Sequence, residues 1–69
     1  MNIDALLKLE IRLINEAKDL AKVAQEHTNA GRLEAATMGI AASLTLVDIQ
    51  VALSKILDGI EEGVELEKN

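Results

Sequence analysis

The carboxylates near the C-terminus are the first residues whose types and spacing could carry chemistry. Within DGIEEGVELE, residues 58–67, Asp58, Glu61, Glu62 and Glu65 fall on one side of a helix and could collect a divalent cation. A di-iron bundle, however, requires Glu-x-x-His pairs on facing helices, and the sequence has none. It also lacks an Asp-rich calcium loop. We therefore interpret these carboxylates as a solvated acidic surface, and we predict no metal ion and no cofactor.

The single histidine gives no better candidate for catalysis. His27 follows Glu26 near the expected C-terminal end of a helix, where a histidinium interacts favourably with the helix dipole. Without cysteine or a second histidine, an all-protein zinc site is not expected. Thr28 alone is not a convincing nucleophile, and there is no glycine-rich phosphate loop. The sequence therefore predicts a protein that is not an enzyme and has no catalytic residues.

The length and composition of the chain indicate that one subunit can bury only a small core. The sequence has 69 residues, 49% of them apolar, with no cysteine, proline or aromatic residue. A chain of this size buries only about 60% of its unfolded surface, so its stability is marginal without a further constraint. Disulfides are excluded and a zinc site is not expected. Oligomerisation is the remaining way to complete the core.

The charge of the chain bears on its partners and its location. The net charge is −5 and the isoelectric point about 4.6, which disfavours contact with phosphate backbones and anionic lipid. The longest uncharged run, residues 35–47, is shorter than the roughly 20 residues that span a bilayer. The first residues lack the basic and then apolar arrangement of a secretory signal. We expect a cytoplasmic protein that does not bind membranes and for which nucleic-acid binding is disfavoured.

The asparagine and glycine of HTNAG, residues 27–31, mark the best break in an otherwise helical pattern. Asn29 or Gly31 can adopt the left-handed conformation that ends a helix. The sequence thus predicts one domain, residues 1–69, with a helix at about 3–27, a turn at about 28–31, a helix at about 32–64 and an acidic tail at 65–69. The alternative is a second break near Thr45, which would give a three-helix monomer.

The second helix carries more apolar surface than the first helix can cover. One apolar stripe has the three- and four-residue steps of a coiled-coil seam: Ala35, Met38, Ala42, Leu46, Ile49, Leu53, Ile56, Ile60 and Val64. Another side carries a second stripe: Leu33, Ala36, Ile40, Leu44, Val47 and Val51. A single partner helix covers only one stripe. We therefore predict an all-α fold, an antiparallel helical hairpin that self-associates into a four-helix or larger bundle, with a homodimer as the simplest form.

Glu10 is a carboxylate among apolar neighbours in LLKLEIRLIN, residues 6–15. If the chain folds back at residues 29–31, residue i of the first helix lies level with a residue near 60 − i of the second. Glu10 is then level with Gln50, which lies between the two apolar stripes. We predict that Glu10 and Gln50, from the same or a partner chain, form a polar layer that fixes the register.

The predicted interface with other chains follows from the same pattern. Its residues are apolar positions on the stripes or in the overhang beyond the first helix: Ala35, Ile40, Leu44, Val47, Val51, Ile60 and Val64. The function that this pattern favours is a non-enzymatic, oligomeric protein-interaction module, such as a small regulator, an adaptor or a co-chaperone. The alternative is a purely structural self-assembling bundle, for example a designed one, with no ligand.

RNA binding is a further, minor alternative. In size and topology the predicted hairpin resembles the plasmid RNA-binding "repressor of primer" proteins, which are also short, acidic and dimeric. The RNA-binding face of that family uses basic, amide and aromatic residues. In this chain Lys8, Arg12, Lys18 and Lys22 have acidic neighbours, and there is no aromatic residue.

Overall fold

Two long helices form the whole of the described structure. The computed structural model describes the backbone of residues 2–68 and the side chains of residues 2–60. Helix α1 spans Ile3–Asn29 and helix α2 spans Leu33–Lys68, and they pack against each other as a hairpin 58 Å long and about 15 Å across. The prediction of an all-α helical hairpin is confirmed.

Short polar motifs define the two ends of α1. At its start, Asn2 lies in an extended conformation and its side-chain oxygen accepts a hydrogen bond from the backbone N–H of Ala5 at 3.1 Å. At its end, the N–H of Arg32 donates to the carbonyl of His27, and the N–H of Gly31 donates to that of Thr28. This is a Schellman motif, and it needs the left-handed backbone of Gly31, whose φ is +78°.

Helix α2 is continuous, so the alternative of a break near Thr45 is wrong. The hydroxyl of Thr45 donates to the carbonyl of Ala41 at 2.9 Å, one turn back in the same helix, and therefore caps no new helix. Helix α2 also runs beyond the predicted end at residue 64, through most of the predicted acidic tail. Without proline, the isolated Gly59 and Gly63 weaken the helix by only about 1 kcal/mol each and do not end it.

The two helices meet along a strip of α2 that takes in the edges of the two predicted stripes and the residues between them. Its large buried side chains are Leu53 and Leu57, which form a small core with Leu13 of α1. Among residues 2–60, the buried or half-buried positions of α2 are Ala35, Ala36, Gly39, Ser43, Leu46, Gln50, Leu53, Ser54, Leu57 and Ile60. We call this set the contact strip. Four members of the contact strip, Ala35, Leu46, Leu53 and Ile60, belong to the first predicted stripe, and Ala36 belongs to the second. Helix α1 therefore covers only part of the first stripe, and Met38, Ile49 and Ile56 of that stripe stay exposed.

Small side chains on the contact strip allow the two helices to pack closely there. A methyl group on Gly39 would lie only 3.0 Å from Cβ of Ala24, which shows that the backbones approach closely near the turn. Ala24 and Ala36 are among the most buried residues of the described chain. Close approach of two helices maximises dispersion contacts and requires small side chains at the crossing. Because the helices pack along this strip, the larger apolar side chains on both of its flanks remain exposed.

Candidate interaction surface

Large apolar side chains of α2 remain exposed on both flanks of the contact strip. On one flank Leu44 is 59% exposed and Ile40 is 50% exposed. On the other flank Met38 is 73% exposed and Ile49 is 48% exposed. The six buried apolar residues of the described chain, by contrast, include three alanines. The hairpin therefore presents two lateral apolar faces, separated by the contact between its own helices.

The first of these faces contains a groove between the helices. We define the groove face by six residues: Ile14, Ala21, Ile40, Leu44, Val47 and Val51. Two adjoining open pockets of about 240 and 280 Å³ lie on it, and both include Ala21 and Ser43 in their walls. The small side chains at these two positions leave space between the larger ones. Among the side chains that the structure describes, Lys18 is the only charged one that lines either pocket.

The opposite face is apolar in α2 but acidic at the edge formed by α1. We define this acidic-edge face by Glu16, Asp19, Val23, Met38, Ile49 and Ile56. An open pocket of about 280 Å³ is lined by the first three of these residues together with Leu20. Glu16 forms an exposed ion pair with Arg12, with a distance of 3.1 Å from Nε to Oε1. The two lateral faces thus differ in the charge beside their apolar surface.

Glu10 and Gln50 meet within a single chain. The Nε2 atom of Gln50 donates a hydrogen bond to Oε2 of Glu10 at 3.2 Å, and both side chains are half-buried. The bond joins residues at the levels that the position of the turn predicts. It gives the carboxylate a donor beside apolar neighbours, and an unpaired carboxylate buried there would be costly. The role of this pair in fixing register remains a prediction.

Replacing Glu10 with leucine tests that role. We expect the Glu10→Leu variant to gain about 1 kcal/mol in free energy of unfolding, because an apolar side chain replaces a half-buried polar one. We also expect it to lose its single oligomeric state, because leucine packs acceptably in several alignments. Chemical denaturation and sedimentation velocity measure the two effects.

The matched control for this variant is Asn15→Leu, an exposed position on the outer side of the same helix. It should leave the oligomeric state unchanged. A Glu10→Leu variant that is no more stable than the parent and keeps the same oligomeric state would exclude a register role.

A second polar contact joins the helices farther along the hairpin. The hydroxyl of Ser43 donates to the carbonyl oxygen of Ala17 at 2.9 Å. That carbonyl lies inside α1, so the bond requires the two backbones to be near each other. The sequence pattern did not predict this bond. A heptad spacing that includes small and polar residues would have indicated the contact strip. Its members are seven residues apart: Ala36, Ser43, Gln50 and Leu57.

The remaining predicted interface residues differ in how far their own chain covers them. Ala35 and Ile60 are half-buried at the edges of the contact strip, so each is partly covered by its own chain. The side chain of Val64 lies outside the described residues, as do those of Glu61, Glu62 and Glu65 of the predicted acidic surface. The other four predicted interface residues, Ile40, Leu44, Val47 and Val51, all lie on the groove face and are more than 40% exposed.

The polar groups around the turn act on local structure. The Nε atom of Arg32 donates to Nδ1 of His27 at 2.8 Å, which links the start of α2 to the last turn of α1. Thr28 donates to the carbonyl of Ala24 within α1. Among residues 2–60, no three histidine, cysteine or acidic side chains lie close enough to hold a metal ion together. The geometry therefore favours apolar contact as the chemistry of the described surface.

The apolar content of α2 also meets the length and composition of a membrane span. The segment Leu33–Ile60 has 28 residues, its most apolar stretch of 18 residues has a mean hydropathy of 1.6, and little of that stretch is buried within the chain. The sequence-based expectation of no membrane contact counted only the uncharged run before Asp48. The longer segment is apolar enough for a membrane span because many aliphatic residues offset its isolated polar ones, such as Asp48 and Gln50. The core helix of a water-soluble bundle has the same composition.

Comparison with known protein families, with curated proteins and with solved structures found no significant match to this chain.

Proposed function

We propose that this chain is a non-enzymatic protein-interaction module whose hairpins associate with each other into a four-helix bundle. A homodimer is the simplest such assembly, because a symmetric pair of hairpins covers one lateral face of each subunit. In this role the protein is a small regulator, adaptor or co-chaperone that works in the cytoplasm. Its surface binds other chains by burying apolar side chains.

The observation that carries the proposal is the amount of exposed apolar surface. Among residues 2–60, thirteen large aliphatic side chains are more than one-third exposed, and six apolar residues are buried. Contiguous exposed apolar surface on a small protein marks a site of association with protein or membrane. Burial contributes about 25 cal/mol per Å² of apolar area. A second chain would therefore add stability that one hairpin lacks.

Two other functions are compatible with a hairpin dimer. A purely structural bundle, natural or designed, would self-associate and bind nothing else. A pull-down from host extract distinguishes it from an adaptor, which retains a specific partner after washing. An RNA-binding regulator would show RNA affinity that falls steeply with salt concentration. The net charge of −5 favours the protein-binding function over RNA binding.

A membrane-associated hairpin is the second candidate, because Leu33–Ile60 has the length and hydropathy of a span. Two features of the chain favour the bundle instead. Insertion would bring Asp48 into the hydrocarbon region, at a cost of about 3 kcal/mol for a central acidic residue. It would also require Gln50 to exchange its contact with Glu10 for a lipid environment. Co-sedimentation with neutral and anionic vesicles would reveal membrane binding directly.

The dependence of the melting temperature on protein concentration tests self-association. If the folded state is a dimer, mass action stabilises it as concentration rises, and Tm should increase by about 5 °C for each tenfold increase in concentration. Circular dichroism at two concentrations measures this. A Tm that is independent of concentration would contradict the proposed assembly.

A further inference from the structure

We infer that the groove face, and not the acidic-edge face, is the surface on which the second copy of this chain is seated. The inference rests on the proposed self-association and adds which residues form its centre. Ile40, Leu44 and Val47 of one copy would enter the groove beside Ala21 and Ser43 of the other, and the reverse contact would occur at the same time.

The shape of the groove face supports a symmetric contact. A two-fold interface requires one surface to carry both the projecting side chains and the recess that receives them. On this face Ile40, Leu44 and Val47 project from α2 and are 41–59% exposed. The adjoining pockets, with Ala21 and Ser43 in their walls, form the recess beside them. The face is therefore complementary to itself.

The distribution of charge disfavours the opposite face as the centre of a symmetric dimer. Pairing two acidic-edge faces would place Glu16 and Asp19 of both copies around one desolvated interface, with the Arg12 that pairs with each Glu16. Each copy would then bring two carboxylates and one guanidinium, whose burial costs hydration and leaves an excess of negative charge. On the groove face the charged lining residue is Lys18, whose long side chain can cover apolar surface while its ammonium group stays in water.

The size of the groove face is close to that of a typical interface. The two helices lie side by side over the 27 residues of α1, about 40 Å, and the hairpin is about 15 Å wide. A typical specific interface buries about 800 Å² on each partner, so a stable dimer would bury most of this lateral face. The uncharged part of this flank of α2 runs from Leu33 to Val51 and ends before Asp58. Most of its length can therefore be buried without desolvating an acidic residue of α2.

Substitution of two equally exposed isoleucines, one on each face, tests which face forms the dimer interface. Ile40 on the groove face is 50% exposed and Ile49 on the acidic-edge face is 48% exposed, and both lie within α2. We expect Ile40→Lys to raise the dimer dissociation constant at least about 100-fold, because the dimer would bury two lysines in an apolar interface. Ile49→Lys should change the constant less than about threefold. Sedimentation equilibrium measures both constants.

A second pair of variants keeps the inference testable if Ile40→Lys fails to fold. The chain has no cysteine, so Leu44→Cys and Ile56→Cys each introduce a single thiol, at sites that are 59% and 55% exposed in one hairpin. Maleimide should react with Cys at position 44 at least about tenfold more slowly when the protein is concentrated than when it is dilute. The thiol at position 56 should react at the same rate in both conditions.

The possible outcomes are distinct. Dissociation by Ile49→Lys alone, or thiol protection at position 56 alone, overturns the choice of face while self-association stands. Equal effects at both faces also overturn it, because they indicate an assembly that buries both. Protection at position 44 that appears only when lipid vesicles or host extract is added assigns the groove to another occupant. A monomeric parent chain at every concentration overturns both this inference and the proposed function.

Discussion

Replacing Gly39 with leucine is expected to unfold the hairpin. The first added carbon already lies 3.0 Å from Cβ of Ala24 and 3.5 Å from its Cα, so the leucine side chain has no space between the helices. Overpacking of this kind costs about 3 kcal/mol. That is comparable with the whole stability of a single small core. Loss of helical circular dichroism at the temperature where the parent chain is folded measures the effect.

Glycine at position 59 provides the control for this substitution. A methyl group there would meet no atom within 4 Å, although the residue lies in the same helix. Gly59→Ala should therefore raise the free energy of unfolding by about 0.5–1 kcal/mol, the usual gain from replacing a helical glycine. Gly39→Ala should gain less than this or lose stability. If Gly39→Leu melted at the temperature of the parent chain, the close approach of the helices would be wrong.

Replacing Leu53 with alanine is the second substitution with a large expected effect. Leu53 is 9% exposed and packs with Leu13 and Leu57 in the core at the end of the hairpin away from the turn. Leu→Ala changes in such positions cost about 2–5 kcal/mol, because they lose transfer free energy and leave a cavity. With few other large buried side chains nearby, the chain has little to compensate. Urea denaturation measures the loss.

An exposed aliphatic residue outside the contact strip is the control for Leu53→Ala. Ile11 lies in the middle of α1 and is 59% exposed. Ile11→Ala should change the free energy of unfolding by no more than about 0.5 kcal/mol, since little area is buried there and alanine favours the helix. Equal losses at positions 11 and 53 would show that the core lies elsewhere.

Much of the fold could be predicted from a few residues of the sequence. The turn at HTNAG followed from Gly31, which adopts the left-handed conformation that α1 needs to end. Once the turn is placed, the rise of the α-helix fixes which residues are level. The level of Glu10 with Gln50 is such a result, and their side chains lie within hydrogen-bonding distance. Local geometry therefore determined the register.

The face on which the helices meet could not be predicted from hydrophobicity alone. The strongest apolar stripe of α2 includes Met38 and Ile49, yet both are exposed in the hairpin. The contact strip instead contains Gly39 and Ser43, which score as weakly apolar or polar. Their small side chains let the two helix backbones approach closely, which adds dispersion contacts. The stabilisation from these contacts depends on the residues of the facing helix.

The candidate site was predictable only in part for the same reason. Excess apolar surface on α2 was evident from Ile40, Leu44, Val47 and Val51. Their grouping into one face with Ile14 and Ala21 of α1 depends on the rotation of both helices about their axes. That rotation follows from the choice of contact strip. The groove and its single lining lysine therefore emerge only from the packed hairpin.

Sedimentation equilibrium of the unmodified chain measures whether hairpins associate. One hairpin exposes more apolar surface than it can leave in water, so we expect it to complete its core with another copy. We predict a mass at high protein concentration of at least twice the 7.4 kDa of the single chain. A well-folded species that keeps the mass of one chain across the full concentration range would show that the hairpin is stable without a second copy.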